Sequence, residues 1–333
     1  MKKYLLIILL LTFALIVNLL FGFFQTDTNR LRQDNTASLN GPLNYSEQSH
    51  NVPGDLGIAG QWALSTLKAS QAWAITTGSP EIYIAVLDTG IDEGHQDLIG
   101  QVIDRANFTT SPTTNDVYGH GTHIAGIIAA ANNKSGITGM AYNSRLLNVK
   151  VADDGGWCDA SSIAKGIRWS VDRGAKVINI SLYTFSPSLD LEEAVNYAWS
   201  KGVVIVTPAG NGVGNKIAYP AYYSNSIAVA ATNPNNTIPS WSASGGWVHI
   251  AAPGTDILST MPHNKYALKS GTSMATAYVS GLAGLLFGLV KDANGNGLVN
   301  DEIRLAMENS CDPTNVSDIG RINALEALYF VQK

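Results

Sequence analysis

Three short segments of this sequence set reactive side chains among glycines and other small residues: AVLDTGID at 85–92, GHGTHIAG at 119–126 and SGTSMATAYVSG at 270–281. Asp88 closes a β-rich apolar run, Ile82–Leu87. Its carboxylate is therefore expected at the carboxyl end of a buried strand, where α/β sheets collect their ligands. There it can hold an imidazole in one tautomer and stabilise the imidazolium that forms when the ring takes a proton; capping of Thr89 or Gly90 is the simpler use of the same group. Two histidines follow. Gly119 and Gly121 let backbone crowd around His120, whereas His123 begins a small-residue helix over Ile124–Ala131 and reads as a structural histidine. A His-x-x-His metal pair competes, without a third ligand or an HExxH pattern behind it. Ser273 opens a helix running through Met274, Ala275 and Val279. A hydroxyl there sits in the positive field of a helix start, although Thr272 or Ser273 can equally serve as an ordinary N-cap. Carboxylate, imidazole and hydroxyl are the parts of nucleophilic acyl transfer. A fourth segment, VTPAGNGVG at 206–214, carries Asn211 between two glycines. This is either a left-handed turn or an amide that donates to an oxyanion.

These residues need a scaffold, and the pattern around them supplies one. Short apolar runs at Ile82–Leu87, Leu146–Val151, Val177–Ile180, Val203–Val206, Ile227–Ala231 and Val248–Ala251 are continuous rather than alternating, as in strands buried on both faces. Between them, Ser161–Arg173 and Leu191–Lys201 place apolar residues at helical spacing, with Asp190 as the expected N-cap of the second and Gly202 after its last turn. Strand and helix in alternation imply an α/β fold: a mostly parallel, doubly wound sheet with helices on both faces. It is expected as a single catalytic domain over residues 55–333.

Taken together and in this order, the three segments resemble the subtilisin-like serine peptidases, in which the triad runs Asp…His…Ser. The resemblance covers roughly residues 55–330. It implies Asp88 as the orienting carboxylate, His120 as general base, Ser273 as nucleophile, and Asn211 with the Ser273 amide as oxyanion donors. The implied reaction is hydrolysis of peptide bonds through an acyl-enzyme; a transpeptidase using the same triad and an inactive peptidase-like binding module are the alternatives. The resemblance also implies a cleft in which an extended polypeptide adds as a strand. One side would be Ser181, Leu182 and Tyr183, with the Gly155–Cys158 segment, including Gly156 and Trp157, as the opposing edge strand. Ala209, Gly210 and Ala218 would line an apolar pocket for an uncharged, medium or large side chain. Tyr183 stands where the family usually has glycine, and its ring is expected to narrow the subsites. A structural Ca²⁺ is implied at Asp97 and the loop 131–137, through side-chain oxygens of Asp97 and Asn133 and carbonyls of Ala131, Ser135 and Ile137. That oxygen set suits a hard cation.

The chain departs from the family pattern at Ala277, where proline is usual. That smaller residue motivates the transpeptidase alternative, since an amine would meet less crowding at the acyl-enzyme. A folded prodomain is usual as well, but only about thirty polar residues separate Phe24 from the catalytic domain, too few for a packed core. A further loop, Asp292–Gly297, begins like an EF-hand, but Ile303 stands where a bidentate Glu is required. Asn300 capping a helix over Asp301–Met307 is the preferred reading.

Bulk composition narrows the remaining choices. Of 333 residues, 45% are hydrophobic and 14% charged, with a net charge of −5 and no run of either sign. That excludes the basic footprint of a nucleic-acid binder. Lys2 and Lys3 precede an apolar stretch from Tyr4 to Phe24, close to the length of about 20 residues that spans a bilayer. It is expected to be a signal peptide or membrane anchor that leaves the remainder extracytoplasmic, with membrane contact through this segment alone. Residues 25–54 read as a polar linker. Cys158 and Cys311 are the two cysteines, and their separation in sequence leaves a bridge open. The expected partners are polypeptide substrates, and the expected state is a monomer.

Overall fold

Chain segments that are apolar on both sides can only be buried between two layers, and the sheet is built from such segments. The computed structural model describes the backbone of Thr36–Ser38 and residues 60–212 and 215–332. In chain order the strands are β1 (Thr36–Ser38), β2 (Tyr83–Asp88), β3 (Val102–Asn107), β4 (Arg145–Lys150), β5 (Trp157–Asp159), β6 (Val177–Ile180) and β7 (Val204–Pro208). They continue with β8 (Ile227–Thr232), β9 (Ile250–Pro253), β10 (Ile257–Met261), β11 (Lys265–Lys269), β12 (Cys311–Asp312) and β13 (Arg321–Ile322). Eight helices are described: α1 (Trp62–Thr66), α2 (Ala69–Trp73), α3 (His120–Ala129), α4 (Ala160–Asp172), α5 (Leu189–Ser200), α6 (Thr272–Phe287), α7 (Asn300–Asn309) and α8 (Ala324–Phe330).

The main sheet has nine strands in the order β12-β13-β9-β8-β7-β6-β2-β4-β3. All its pairings are parallel except β12 with β13. Strands β3 and β4 lie on one side of β2, and β6 to β9 extend from the other. The winding therefore reverses at β2, and Asp88 ends that strand at the reversal, where a crevice opens in such sheets.

Successive residues of β2 serve opposite layers. Ile84 and Val86 join a core with Ile124 and Ile128 of α3 and Val279 and Leu282 of α6. Ala85 and Leu87 join a second core with Ile163 and Ile167 of α4 and Leu191 and Val195 of α5. This two-sided burial explains why the strands read as unbroken apolar runs. Helix α6 is buried at every residue from Thr272 to Leu286. Its small residues permit this: a Cβ at Gly284 would stand 2.7 Å from Ile84 Cδ1.

The expected strands and helices all form, with ends within two residues of expectation except that α3 starts at His120, four residues before the Ile124 expected. Helix α5 starts earlier than expected because Ser188, not Asp190, is its N-cap, accepting from the Leu191 amide at 3.4 Å. Asn300 does not cap α7 from outside; it is the first helical residue, and its amide donates to Trp199 O at 3.0 Å. The β10–β11 hairpin was not expected from the pattern. No disulfide joins Cys158 and Cys311. Among the described residues no helix is long and apolar enough to cross a membrane; the Tyr4–Phe24 stretch lies outside them, as does most of the 25–54 linker.

Candidate active site

Asp88 is fully buried at the end of β2, and His120 begins α3 beside it. Asp88 Oδ1 accepts from the Thr89 amide at 2.8 Å and lies 2.8 Å from His120 Nδ1. A carboxylate oxygen only accepts, so Nδ1 carries the proton and Nε2 keeps its lone pair on the opposite side of the ring. The pair thus fixes both the tautomer and the aim of the imidazole.

A second carboxylate, which the sequence pattern did not reveal, builds the frame around this pair. Asp116 is buried and takes four hydrogen bonds. Oδ1 accepts from Thr89 Oγ1 (2.8 Å) and Gly119 N (2.7 Å), and Oδ2 from Thr122 N (2.8 Å) and Thr122 Oγ1 (2.7 Å). Thr89 Oγ1 in turn accepts from Gly121 N at 2.9 Å. The residue after Asp88 and the residues on both sides of His120 are therefore tied to one group. Lys150, opposite Asp88 in the β2–β4 register, is also fully buried. Its ammonium donates to the Thr89 carbonyl and pairs with Asp154 at 3.0 Å. An isolated Asp in a polar loop and a Lys within an apolar run give no sequence signal of this kind, because the residue that both reach, Thr89, is remote in the chain.

His123, three residues on, has a different fate. It is completely buried, and its Nε2 lies 3.1 Å from both Ile257 O and Ala267 O, the two arms of the β10–β11 hairpin. Burial, reinforced by the charge of Lys269, holds its pKa well below the ordinary histidine value. It is a neutral pin between helix and hairpin. Among the described residues no group of three or more His, Cys, Asp or Glu side chains is placed to hold a metal.

Ser273 lies in the first turn of α6 and is almost wholly buried. Its hydroxyl donates to Ser181 O at 3.1 Å, and Ser181 Oγ donates back to Ser273 O at 3.1 Å. The chain of bonds continues from Asn179 Nδ2 to Ser181 Oγ (2.9 Å) and from Ser280 Oγ to Asn179 Oδ1 (2.9 Å). In this state the Ser273 hydroxyl is turned to the Ser181 carbonyl rather than to the His120 ring. Such contacts commonly tighten only when substrate is bound.

Asn211 follows β7. Its Oδ1 accepts from both Thr272 N (3.0 Å) and Thr272 Oγ1 (2.9 Å). With the oxygen so engaged, Nδ2 is left as the donor facing the start of α6. Two carboxyl-end loops and a helix start thus converge on one crevice.

The other expected residues are distributed as follows. Leu182 is buried in the α4–α5 core and Ala209 in a smaller cluster under β8 and β9. Gly210 has φ +113°, and Ala218 lies beside Tyr183. Trp157 is exposed on β5, but Gly155 and Gly156 form a turn rather than strand. The Gly155 amide is held by Asp153 Oδ1 (2.9 Å) and the Gly156 amide by Asp153 O (2.9 Å). Of the four residues expected as an edge strand, only Trp157 and Cys158 therefore lie in β5, which pairs with β1 in a two-stranded sheet.

At the expected cation site, Asp97 is fully buried. Oδ2 accepts from Ile137 N (3.0 Å) and Tyr266 Oη (2.8 Å), whereas Oδ1 meets Asn133 Nδ2 only at 3.3 Å. Ser135 N donates to Asn133 Oδ1, and Ala131 O accepts from Asn133 N, both at 2.9 Å. Gly136 has φ +58°, and a Cβ there would stand 2.0 Å from Tyr266 Oη. The loop thus closes on the Asp97 carboxylate, both of whose oxygens meet protein donors. Exchanging the ends of the Asn133 amide presents its oxygen to Asp97 instead of its NH₂.

A parallel doubly wound sheet whose switch-point strand delivers an Asp–His pair beside a helix-start serine is the arrangement of a subtilisin-like serine peptidase. The chain matches the Subtilase family over residues 79–323 and belongs to it; it is a serine-type endopeptidase. It is 43% identical to "Thermitase" of Thermoactinomyces vulgaris over 276 residues, 81% of this chain and 96% of that protein. Identity to "Thermophilic serine proteinase" of Bacillus sp. (strain AK1) is 42% over 294 residues, 86% of this chain and 72% of the relative. "Subtilisin Savinase" of Lederbergia lenta is 42% identical over 267 residues, 79% of this chain and 96% of that protein.

Proposed function

We propose that this endopeptidase cleaves extended polypeptides through an acyl-enzyme on Ser273. The observation that carries the reading is the Asp88–His120 bond, which leaves Nε2 as a base directed away from the carboxylate. His120 Nε2 takes the Ser273 proton as Oγ attacks the peptide carbonyl carbon, and Asp88 stabilises the imidazolium. The tetrahedral oxyanion is held by Asn211 Nδ2 and the Ser273 amide. His120 then returns the proton to the leaving amine, and water repeats the cycle on the ester. Asn211 is suited to this role because Thr272 occupies its oxygen and so fixes which end of the amide donates. The substrate backbone lies between the Ser181–Tyr183 segment and the β5 edge at Trp157.

A Ca²⁺ ion held by Asp97, Asn133 and the carbonyls of Ala131, Ser135 and Ile137 supplies no chemistry here; it braces the loop after α3. The lysines and apolar stretch at the N-terminus support an extracytoplasmic site of action. A fluorophosphonate probe tests the central claim. It should label the full chain once, at Ser273, and Ser273→Ala should lose both labelling and peptide hydrolysis while melting like the parent. Labelling at another serine, or hydrolysis by the mutant, refutes the assignment.

A further inference from the structure

We propose that the side chain of Tyr183 occupies the primary specificity pocket of this enzyme, restricting the residue that donates the scissile carbonyl to glycine or alanine. The inference rests on the roles proposed for Ser273 and Asn211, because it fixes which wall of the cleft faces the acyl group. It replaces the expectation of a pocket for a medium or large side chain.

The placement of the ring follows from its neighbours. Tyr183 comes two residues after Ser181, the residue bonded to Ser273 in both directions. Its backbone is held on the next residue, where Thr184 and Tyr219 exchange bonds of 2.9 and 2.8 Å across a short antiparallel bridge. That bridge brings Ala218, expected as a pocket-lining residue, alongside. The Tyr183 side chain does not swing into solvent: it is 8% exposed and packs with Ala218, Ala221, Ala228 and the edge of Trp247. At its far end, Oη accepts from the Asn211 backbone N–H at 3.4 Å and donates to the Asn211 backbone carbonyl at 3.5 Å. Burial raises its pKa, so the phenol stays protonated and able to donate. The ring therefore bridges the Ala209–Asn211 wall and the Ala218 wall. A Cβ on Gly210 would lie 3.5 Å from Ala218 Cβ, so these two residues nearly meet and leave no second gap beside the ring for a large side chain. Phe185 packs edge-on against Tyr183 at 5.4 Å, and the Lys216 ammonium stands 5.6 Å from the Phe185 ring, closing the outer lip.

Small side chains at three positions packed on the ring (Ala218, Ala221, Ala228) make room for one large group, and the protein supplies that group itself. A substrate phenylalanine would have to expel a ring of its own size and expose it to water. A methyl group or hydrogen needs no such exchange. The hydroxyl contacts are long, so packing rather than hydrogen bonding holds the ring. Removing the hydroxyl alone should leave the restriction in place.

The test uses the full chain and fluorogenic peptides identical except for Gly, Ala, Leu or Phe before the scissile bond. Every protein is also titrated with the fluorophosphonate to count active sites. For the parent, kcat/KM per labelled site should favour Ala over Phe by roughly 10²-fold or more. In Tyr183→Gly the Phe-to-Ala ratio should rise by about 10²-fold, and in Tyr183→Phe it should stay as in the parent. A parent that labels normally yet cleaves Phe as well as Ala overturns the pocket assignment alone. A chain that neither labels nor cleaves any peptide overturns the catalytic reading and the pocket with it. Should Tyr183→Gly fail to fold, the parent and Tyr183→Phe still decide. A Tyr183→Phe protein that accepts Phe would show that the hydroxyl, not the ring, sets the limit, contrary to the proposal.

Discussion

Asp116 should be the most sensitive non-reacting side chain of the site, and the hydrogen bonds allow the cost of changing it to be worked out. In Asp116→Asn the shape is kept, but one oxygen becomes an NH₂ group. If the amide oxygen replaces Oδ1, Thr89 Oγ1 and Gly119 N keep their acceptor while the new NH₂ faces the Thr122 amide across 2.8 Å. The Thr122 hydroxyl can turn and accept, but its backbone N–H cannot. The opposite amide orientation strands the Gly119 N–H instead, so either way one buried backbone donor loses a charged acceptor. The penalty should be about 1.5–3 kcal/mol, which at roughly 2–4 °C per kcal/mol lowers Tm by about 3–12 °C. Asp116→Ala strands both backbone donors and should cost about twice as much. Because the bonds bracket Asp88 and His120, the Asn variant should also lose roughly 10- to 10²-fold in kcat through misalignment, with KM little changed. Thermal melting and steady-state kinetics on one peptide measure both effects. A variant that melts within about 1 °C of the parent and keeps its kcat would show that this frame positions nothing.

Other outcomes follow from the same geometry. Asn211→Ala should lower kcat by roughly 10²–10³-fold with KM nearly constant, as expected of a donor engaged in the transition state; a pure KM effect would make Asn211 a binding residue. Calcium should raise Tm in proportion to the logarithm of its concentration, since only the folded loop binds it. Asp97→Ala should abolish the response, and a parent indifferent to EDTA would refute the site. Stability should decline as pH falls below 6.5. His123 is held well below that value chiefly by burial, and His249 is lowered to about 4 by burial and then by Arg304. Between pH 6.5 and 4 the unfolded chain therefore binds protons that the folded chain refuses, at up to about 1.4 kcal/mol per pH unit for each histidine. His249→Asn, which keeps an acceptor near the Ala228 amide, should flatten the decline; an unaltered pH slope would exclude His249 as a contributor.

The sheet was legible in the sequence because burial on both faces leaves unbroken apolar runs, and Val177–Ile180 was read to the residue. Ends were less legible where local bonds override pattern. Val248 is drawn into a turn by its bond to Gly245 O, so β9 begins two residues later. Pro208 ends β7 although proline suggests a break, since it pairs with Val229 at the strand terminus. The β10–β11 hairpin was missed because its strands mix buried and half-buried positions, with His263, Asn264 and Lys265 around its turn. Asp88, His120, Asn211 and Ser273 stand out by their local company. Asp116 and Lys150 do not, because what joins them to the site is Thr89, which lies in another segment of the chain. Tyr183 lies between these cases: its size was visible, but its destination depended on where residues 211 and 218 would fall.

The row of bonds from Ser280 through Asn179 and Ser181 to Ser273 has one more implication. Ser181 belongs to the segment on which a peptide would be laid, and Ser273 to the helix that would attack it. Because Ser181 Oγ holds the Ser273 carbonyl at 3.1 Å whichever way the Ser273 hydroxyl turns, bench and tool are bolted to one plate. Thermal motion of the surrounding loops can open or close the crevice without altering the offset between a seated carbonyl and the hydroxyl. Adaptation to a new polypeptide would then proceed more readily at the rim, around Trp157 and Phe185, than along this row, where any gain in fit would shift the nucleophile as well.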